Sequence, residues 1–139
     1  MRGALGFLLL AGCTHQTYYL DLPDLDLEPP TDLEERLRAF QEGREPQHGD
    51  PRAVADAALR RHLDVPWKAD PFRPSEYEVR ENARWGTYVV RGYRYPSGHE
   101  MRYRVKVRPY GEIWYPVQVS HYKIHELPHP ALEREPGNP

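Results

Sequence analysis

Four cations alternate along one segment of the sequence, because Arg102, Arg104, Lys106 and Arg108 occupy every second position. Successive side chains of a β-strand point to opposite faces, so this spacing predicts a row of positive charge on one face of a sheet. Such a row, with aromatic rings beside it, is suited to binding an anionic partner. Two alternatives are a solvated sheet surface, and a surface covered by the segment 21–50, which has ten acidic and three basic residues.

Residue patterns for catalysis or metal binding are sparse. The three serines lie outside any Gly-x-Ser-x-Gly motif, and the single glycines mark turns and form no phosphate loop. His121, His125 and His129 have the spacing that would align metal ligands on a helix, but a strand end and a proline-rich segment are expected there. We therefore expect no catalytic residue, no metal site and no cofactor.

The N-terminal residues carry the most specific signal in the sequence. Arg2 precedes a short apolar run, Ala4 to Leu10, which is too short to span a bilayer and predicts a signal peptide. Leu10-Ala11-Gly12-Cys13 then resembles the lipobox of bacterial lipoproteins, and the chain has one cysteine. The resemblance implies that residues 1–12 are removed and that the Cys13 thiol receives a diacylglyceryl group. Several acyl chains give stable membrane anchoring.

The resemblance to lipoproteins also implies a location and a class of function. Thr14 follows the cysteine where proteins retained in the inner membrane usually have Asp, which favours the outer membrane, facing the periplasm. The implied partners are the membrane, through the lipid, and an anionic envelope polymer or an envelope protein, whereas export argues against nucleic acid. We expect a non-catalytic binding or scaffold subunit. The alternative is a small envelope hydrolase with an unrecognised active site.

The elements before the cation row are predicted from turn and cap residues. Residues 13–30 are rich in proline, aspartate and leucine, and should form an extended tether that either adds a strand to the domain or acts as a docking peptide. One helix is expected from Thr31 to about Gly43, with Thr31 as its N-cap. A second helix should begin at Asp50-Pro51. Its buried face is predicted to include His62, with Asp56 opposite.

Two Pro-x-Gly turns predict the strands that contain the cation row. Pro96-Ser97-Gly98 and Pro109-Tyr110-Gly111 each suit a three-residue hairpin loop. The first turn pairs Val89 with Val105, and it places Tyr88 beside Lys106. The second turn, closed by Arg108 and Glu112, places Trp114 on the other side of Lys106. The candidate binding residues are thus Arg102, Arg104, Lys106, Arg108, Tyr88 and Trp114.

These elements predict an α+β fold in which one or two N-terminal helices pack on one face of a four-stranded antiparallel meander. The hydrophobic fraction is 39%, and the aromatic residues (10 Tyr, 3 Trp and 3 Phe) can supply a small core. The order of elements resembles cystatin-like folds and, loosely, the small lipoprotein of the outer-membrane barrel-assembly machinery. The expected organisation is a signal peptide (1–12), a lipidated tether (13–30), a single domain (31–125) and a disordered tail (126–139).

Overall fold

An antiparallel sheet forms the centre of the computed structural model, which describes residues 18–21 and 24–125. Four strands follow one another as a meander: β3 (Glu78–Asn82), β4 (Gly86–Arg94), β5 (Glu100–Tyr110) and β6 (Ile113–His125). Two short strands, β1 (Tyr18–Asp21) and β2 (Leu25–Asp26), both pair with the remaining side of β6. Together, β1 and β2 form a single strand position next to β6. The α+β class is confirmed, and the predicted count of four strands is wrong because the sheet has five strand positions.

The additional strand position comes from residues that the sequence assigned to the tether. Leu25 pairs with Val119, and the backbone N–H of Leu27 donates to the carbonyl of Val117 at 3.0 Å. Of the two alternatives for this leucine-rich segment, the structure has the added strand. The sheet therefore includes residues before 31. The added strand supplies hydrogen-bond partners for backbone groups of β6 that would otherwise be exposed at the edge of the sheet. The predicted signal peptide, Cys13 and the tail 126–139 lie outside the described residues.

The first helix, α1 (Leu33–Gln41), begins later than the sequence predicts. Asp32 is its N-cap in place of Thr31, and its carbonyl accepts the N–H of Arg36 at 2.9 Å. The Asp32 carboxylate makes no capping bond and instead lies 3.0 Å from the Arg36 side chain. The predicted end is close to the observed one, because Gly43 has a φ of 77°, in the left-handed region that favours glycine.

The second helix, α2 (Pro51–His62), begins where the sequence predicts. The Asp50 carboxylate accepts the backbone N–H of Arg52 at 3.0 Å, and Pro51 occupies the first helical position. The side chains that α2 buries against the sheet are Val54, Ala55, Ala58 and Leu59. His62 is exposed, so its predicted place on the buried face is wrong. The core lies between α2 and the valines of β4, β5 and β6.

The hairpin between β4 and β5 has the predicted register. The backbone N–H of Tyr95 donates to the carbonyl of His99 at 2.8 Å, and Gly98 has a φ of 94°. Val89 therefore pairs with Val105, as predicted. This agreement follows from local turn chemistry, because proline and glycine at these positions define a three-residue loop.

The hairpin between β5 and β6 has a different register from the predicted one. Strand β5 continues to Tyr110, which pairs with Ile113 across the two-residue turn Gly111-Glu112. The register then shifts at a β-bulge, since Pro116 pairs with Val107 while Gln118 pairs with Lys106. Pro116 has no N–H to donate, and an irregularity in the ladder accommodates it. The residue beside Lys106 on β6 is thus Gln118, and the predicted position of Trp114 is wrong.

Candidate binding face

The face of the sheet that points away from α2 carries the cation row, and we call it the outer face. Arg102, Arg104 and Lys106 of β5 alternate with the core residues Tyr103 and Val105. On β4, Tyr88 lies directly beside Lys106, as predicted. Arg108 follows at the next outer position of β5, where it pairs with Tyr115.

Trp114 does not belong to the outer face. Its register partner is Pro109, and its half-buried ring packs against the core. It lines an open groove of about 780 Å³ together with Leu27 of the added strand and Ala58 of α2. The prediction failed because the two-residue turn and the bulge displace the residues of β6 along β5.

The tryptophan that accompanies the cation row is Trp85. Its ring centre lies 6.1 Å from that of Tyr88 and 4.1 Å from the central guanidinium carbon of Arg104. The Asn82 side chain organises this turn by accepting the backbone N–H groups of Arg84 at 2.8 Å and Trp85 at 3.2 Å. Strict alternation from Thr87, which faces the core, would have directed Trp85 toward the core. The signal in the sequence is Gly86, whose φ of 81° ends the turn and interrupts the alternation.

Arg104 lies between two aromatic rings. Its guanidinium carbon is 5.5 Å from the ring centre of Tyr122, and its Nε donates to the hydroxyl of Ser120 at 3.3 Å. Tyr122 is buried, and burial raises the pKa of its hydroxyl, while the nearby Arg104 and Arg102 side chains act in the opposite direction. The side chains of Trp85, in the turn before β4, Arg104, on β5, and Tyr122, on β6, thus form one stack on the outer face.

The charge of the row is neutralised at one end and not at the other. Glu100 lies 3.4 Å from Arg102 and 3.3 Å from Arg94, so carboxylate and guanidinium groups balance one another there. Among the described residues, Lys106 and Arg108 have no ion pair. The net positive charge of the outer face is therefore concentrated at Lys106 and Arg108, near the turn between β3 and β4.

Two described contacts of the acidic segment 21–50 lie close to the cation row. Asp26 accepts a hydrogen bond from Gln118 at 2.8 Å, at the edge of the sheet. Glu34 accepts the hydroxyl of Tyr110 at 3.2 Å. Gln118 is also the register partner of Lys106, and Tyr110 follows Arg108 at the next alternate position of β5, so two carboxylates of the segment lie near the row. Neither forms an ion pair with Lys106 or Arg108, and the alternative in which the segment covers the row stays a prediction.

A buried polar cluster on the other side of the sheet was missed by the sequence analysis. Asp56 is 7% exposed, although helical periodicity placed it opposite the core. Its carboxylate accepts the hydroxyl of Tyr77 and the Nε of Arg60, the latter at 2.9 Å. Burial and the Asp56 carboxylate both raise the pKa of Tyr77. The segment between α2 and β3 packs over the side of α2 that carries Asp56. The helix α2 is therefore buried on two sides, one against the sheet and one under this segment.

Arg91 extends this buried polar region toward the centre of the sheet. It stands at an inward position of β4 and is 8% exposed. Its terminal nitrogen lies 3.0 Å from a carboxylate oxygen of Glu76, and its guanidinium carbon lies 3.8 Å from the ring centre of Trp67. These contacts attach the segment before β3 to the sheet, which is a structural role.

The histidines predicted to be unsuitable for metal binding are only partly within the described residues. His121 is half-buried against the ring of Tyr103, with ring centres 5.7 Å apart, and burial lowers its pKa. The side chain of His125 and all of His129 lie outside the description. In the part of the chain that the structure describes, no three His, Cys, Asp or Glu side chains are arranged to hold a metal ion.

Comparisons with known proteins identify no relative. No family model, no curated protein and no solved structure matches the chain. The cystatin-like and barrel-assembly resemblances are therefore analogies of element order. No helix among the described residues is both long enough and apolar enough to cross a membrane.

Proposed function

We propose that this protein is a lipid-anchored bacterial envelope protein that binds an anionic envelope component through its outer face and catalyses no reaction. The anchor is Cys13, within the lipobox-like sequence Leu10-Ala11-Gly12-Cys13. The binding residues are the cation row and the aromatic residues beside it. The localisation is the outer membrane, facing the periplasm.

One observation carries the binding half of the proposal: the uncompensated cations Lys106 and Arg108 adjoin a stack of Trp85, Arg104 and Tyr122. Solubility alone would favour charges of both signs interspersed along the strand, rather than neighbouring cations without an ion pair. Contacts with both rings restrict the Arg104 side chain before any ligand arrives, and a restricted side chain loses less entropy on binding.

The added strand affects where this face lies relative to the membrane. Strand β1 begins at Tyr18, five residues after Cys13. Five extended residues span at most about 17 Å. An anchor at Cys13 would therefore hold the sheet close to the membrane surface, where anionic headgroups are concentrated.

Binding to lipopolysaccharide and to isolated peptidoglycan, compared at low and high salt, tests the binding proposal. Lys106→Gln combined with Arg108→Gln should weaken binding to one of these probes by at least about tenfold, because exposed cations provide the attraction. The control removes two exposed cations from the helices, Arg38→Gln with Arg61→Gln, and should bind like the wild type. Equal binding by the two double variants would contradict the proposal.

The anchor is tested separately. Cys13→Ser should abolish labelling by a fatty-acid analogue and release the protein from the membrane fraction. A variant that lacks the label but remains in the membrane fraction would show that Cys13 is not the anchor.

A further inference from the structure

The groove beside Trp114 lies between the added strand, β6, α2 and the residues that precede α2. Its volume of about 780 Å³ is within the range of about 300–1,000 Å³ that is usual for ligand sites. Its apolar lining includes Leu25, Leu27, Ala58, Trp114 and Pro116. We call it the Trp114 groove.

Two large apolar side chains of the groove remain accessible. Leu25 is 40% exposed, and no other large apolar side chain of the described residues is as exposed. Trp114 is half-buried, and its ring makes no aromatic or cation–π contact with a described residue. Its indole N–H donates no hydrogen bond to a described residue either. The groove therefore offers apolar surface and a free N–H donor in one place, which is typical of an interaction site.

The charged lining of the groove is mainly acidic. Four carboxylates and two guanidinium groups line it, and they belong to Asp26, Glu28, Asp32, Glu45, Arg36 and Arg61. Arg36 lies 3.0 Å from Asp32, so these two charges balance one another. Glu28 has neither a hydrogen bond nor an ion pair with a described residue. With histidine counted as neutral, the lining has a net negative charge.

The added strand also provides backbone groups beside the groove. Among the described residues, β2 pairs with β6 alone, so the other side of β2 is an edge of the sheet. Extended peptides bind to such edges through main-chain hydrogen bonds, and pockets for alternate side chains give specificity. Leu25 and Leu27 of this strand region line the groove, so a peptide beside β2 would direct every second side chain toward it.

We infer that the Trp114 groove binds an extended segment of a partner protein in which basic side chains alternate with apolar ones. The apolar side chains pack against Leu25 and Trp114, and the indole N–H donates to a backbone carbonyl of the segment. The basic side chains lie beside Asp26 and Glu28, where opposite charges on neighbouring strands attract. An acidic segment would be repelled by the same carboxylates.

This inference does not rest on the proposed function, since it uses neither the Cys13 anchor nor the cations of the outer face. The outer face is positive, whereas the groove is negative. The two sites therefore select ligands of opposite charge, and separate assays test them.

Titration calorimetry of the purified full chain with three peptides tests the inference. All three are acetylated and amidated, and their sequences are Leu-Lys-Leu-Lys-Leu, Leu-Glu-Leu-Glu-Leu and Ser-Lys-Ser-Lys-Ser. The first peptide should bind saturably. The second lacks the matching charge and the third lacks the apolar side chains, so each should bind at least about tenfold more weakly.

Three outcomes would overturn the inference. The first is the absence of saturable binding by the basic apolar peptide up to about 1 mM. The second is equal or tighter binding by either of the other two peptides. The third is a dimer of the chain alone, seen by sedimentation, that dissociates when the carboxylates of the groove are replaced, because the occupant would then be a second copy.

Charge variants test whether the peptide binds in the groove. Glu28→Gln combined with Glu45→Gln should weaken binding of the basic apolar peptide by at least about fivefold. Arg61→Gln should strengthen it by about threefold, because the groove becomes more negative. Glu35→Gln combined with Asp64→Asn removes two exposed carboxylates outside the groove and is the matched control. Weaker or unchanged binding by folded Arg61→Gln would contradict the inference.

A tryptophan variant tests the indole N–H. Trp114→Phe keeps an aromatic ring against the core and removes this donor, so peptide binding should fall by about fivefold. Trp85→Phe, on the outer face, is the matched control and should bind the peptide like the wild type. If Trp114→Phe does not fold, the charge variants decide. Unchanged binding by folded Trp114→Phe would place the peptide elsewhere and overturn the inference.

Discussion

The guanidinium group of Arg104 lies on the indole ring of Trp85, with its central carbon 4.1 Å from the ring centre. Arg104 belongs to β5 and Trp85 to the turn before β4, so this contact joins the second and third strands of the meander on the outer face. This contact holds the Arg104 side chain against the sheet. The alternation of charges in the sequence, taken alone, predicts a side chain that extends into solvent.

Arg104→Gln should lower the free energy of unfolding by about 1–2 kcal/mol, because it removes the stacking on Trp85 and Tyr122 and the bond to Ser120. Lys106→Gln, at the next outer position, should change the free energy of unfolding by less than about 0.5 kcal/mol. Urea denaturation of both variants measures the difference. Equal stabilities would show that the Arg104 stack contributes nothing to folding.

Trp114→Ala and Trp85→Ala should differ in their effect on binding to the anionic probe. Trp114 packs on the core beside the groove, so its removal should cost about 2–3 kcal/mol without weakening binding to the anionic probe. Trp85→Ala should weaken that binding, since the ring adjoins the cation row. Denaturation and binding assays on the two variants provide the test. Weaker binding by folded Trp114→Ala alone would favour the outer-face position predicted from the sequence.

The added strand should contribute to stability through Leu27. Leu27 is half-buried and packs against the core, whereas Leu25, two residues earlier, is 40% exposed. Leu27→Ala should therefore lower the free energy of unfolding by about 1–2 kcal/mol, and Leu25→Ala by less than about 0.5 kcal/mol. Thermal unfolding distinguishes the two. Indistinguishable melting temperatures would mean that residues 24–27 do not contribute to the folded unit.

His121 should make the protein less stable in mild acid. Burial lowers the pKa of His121 below its ordinary value of 6.5. The unfolded chain therefore binds a proton at this residue at a higher pH than the folded chain does. The contribution to stability is fully present above pH 6.5 and decreases as the pH falls toward the folded-state pKa.

Replacing His121 measures this contribution. His121→Phe keeps an aromatic ring against Tyr103 and removes the titration. Between about pH 7.5 and 5, the free energy of unfolding should decrease more in the wild type than in His121→Phe. His62→Phe, on the exposed side of α2, is the control and should retain the wild-type pH dependence. Parallel curves for the wild type and His121→Phe would exclude a role for this titration.

Features with local causes could be predicted from the sequence. Pro96-Ser97-Gly98 is sufficient for the first hairpin register, because the proline restricts one φ and the glycine permits another. Asp50-Pro51 likewise predicts the start of α2, since the carboxylate and the backbone donor that it caps are two residues apart. The alternation from Arg102 to Arg108 predicts one shared face for the same reason.

Features that depend on distant partners were decided by the tertiary structure. The register of β6 depends on a bulge near Pro116, in a strand that also pairs with the added strand. Asp56 is buried because the segment that follows α2 covers it, and helical periodicity contains no information about that segment. Trp85 reaches Arg104 only because β4 and β5 pair in this register. Turns and caps are short-range interactions that a few residues can specify. Strand register and contacts across the sheet depend on the free energy of the whole folded chain.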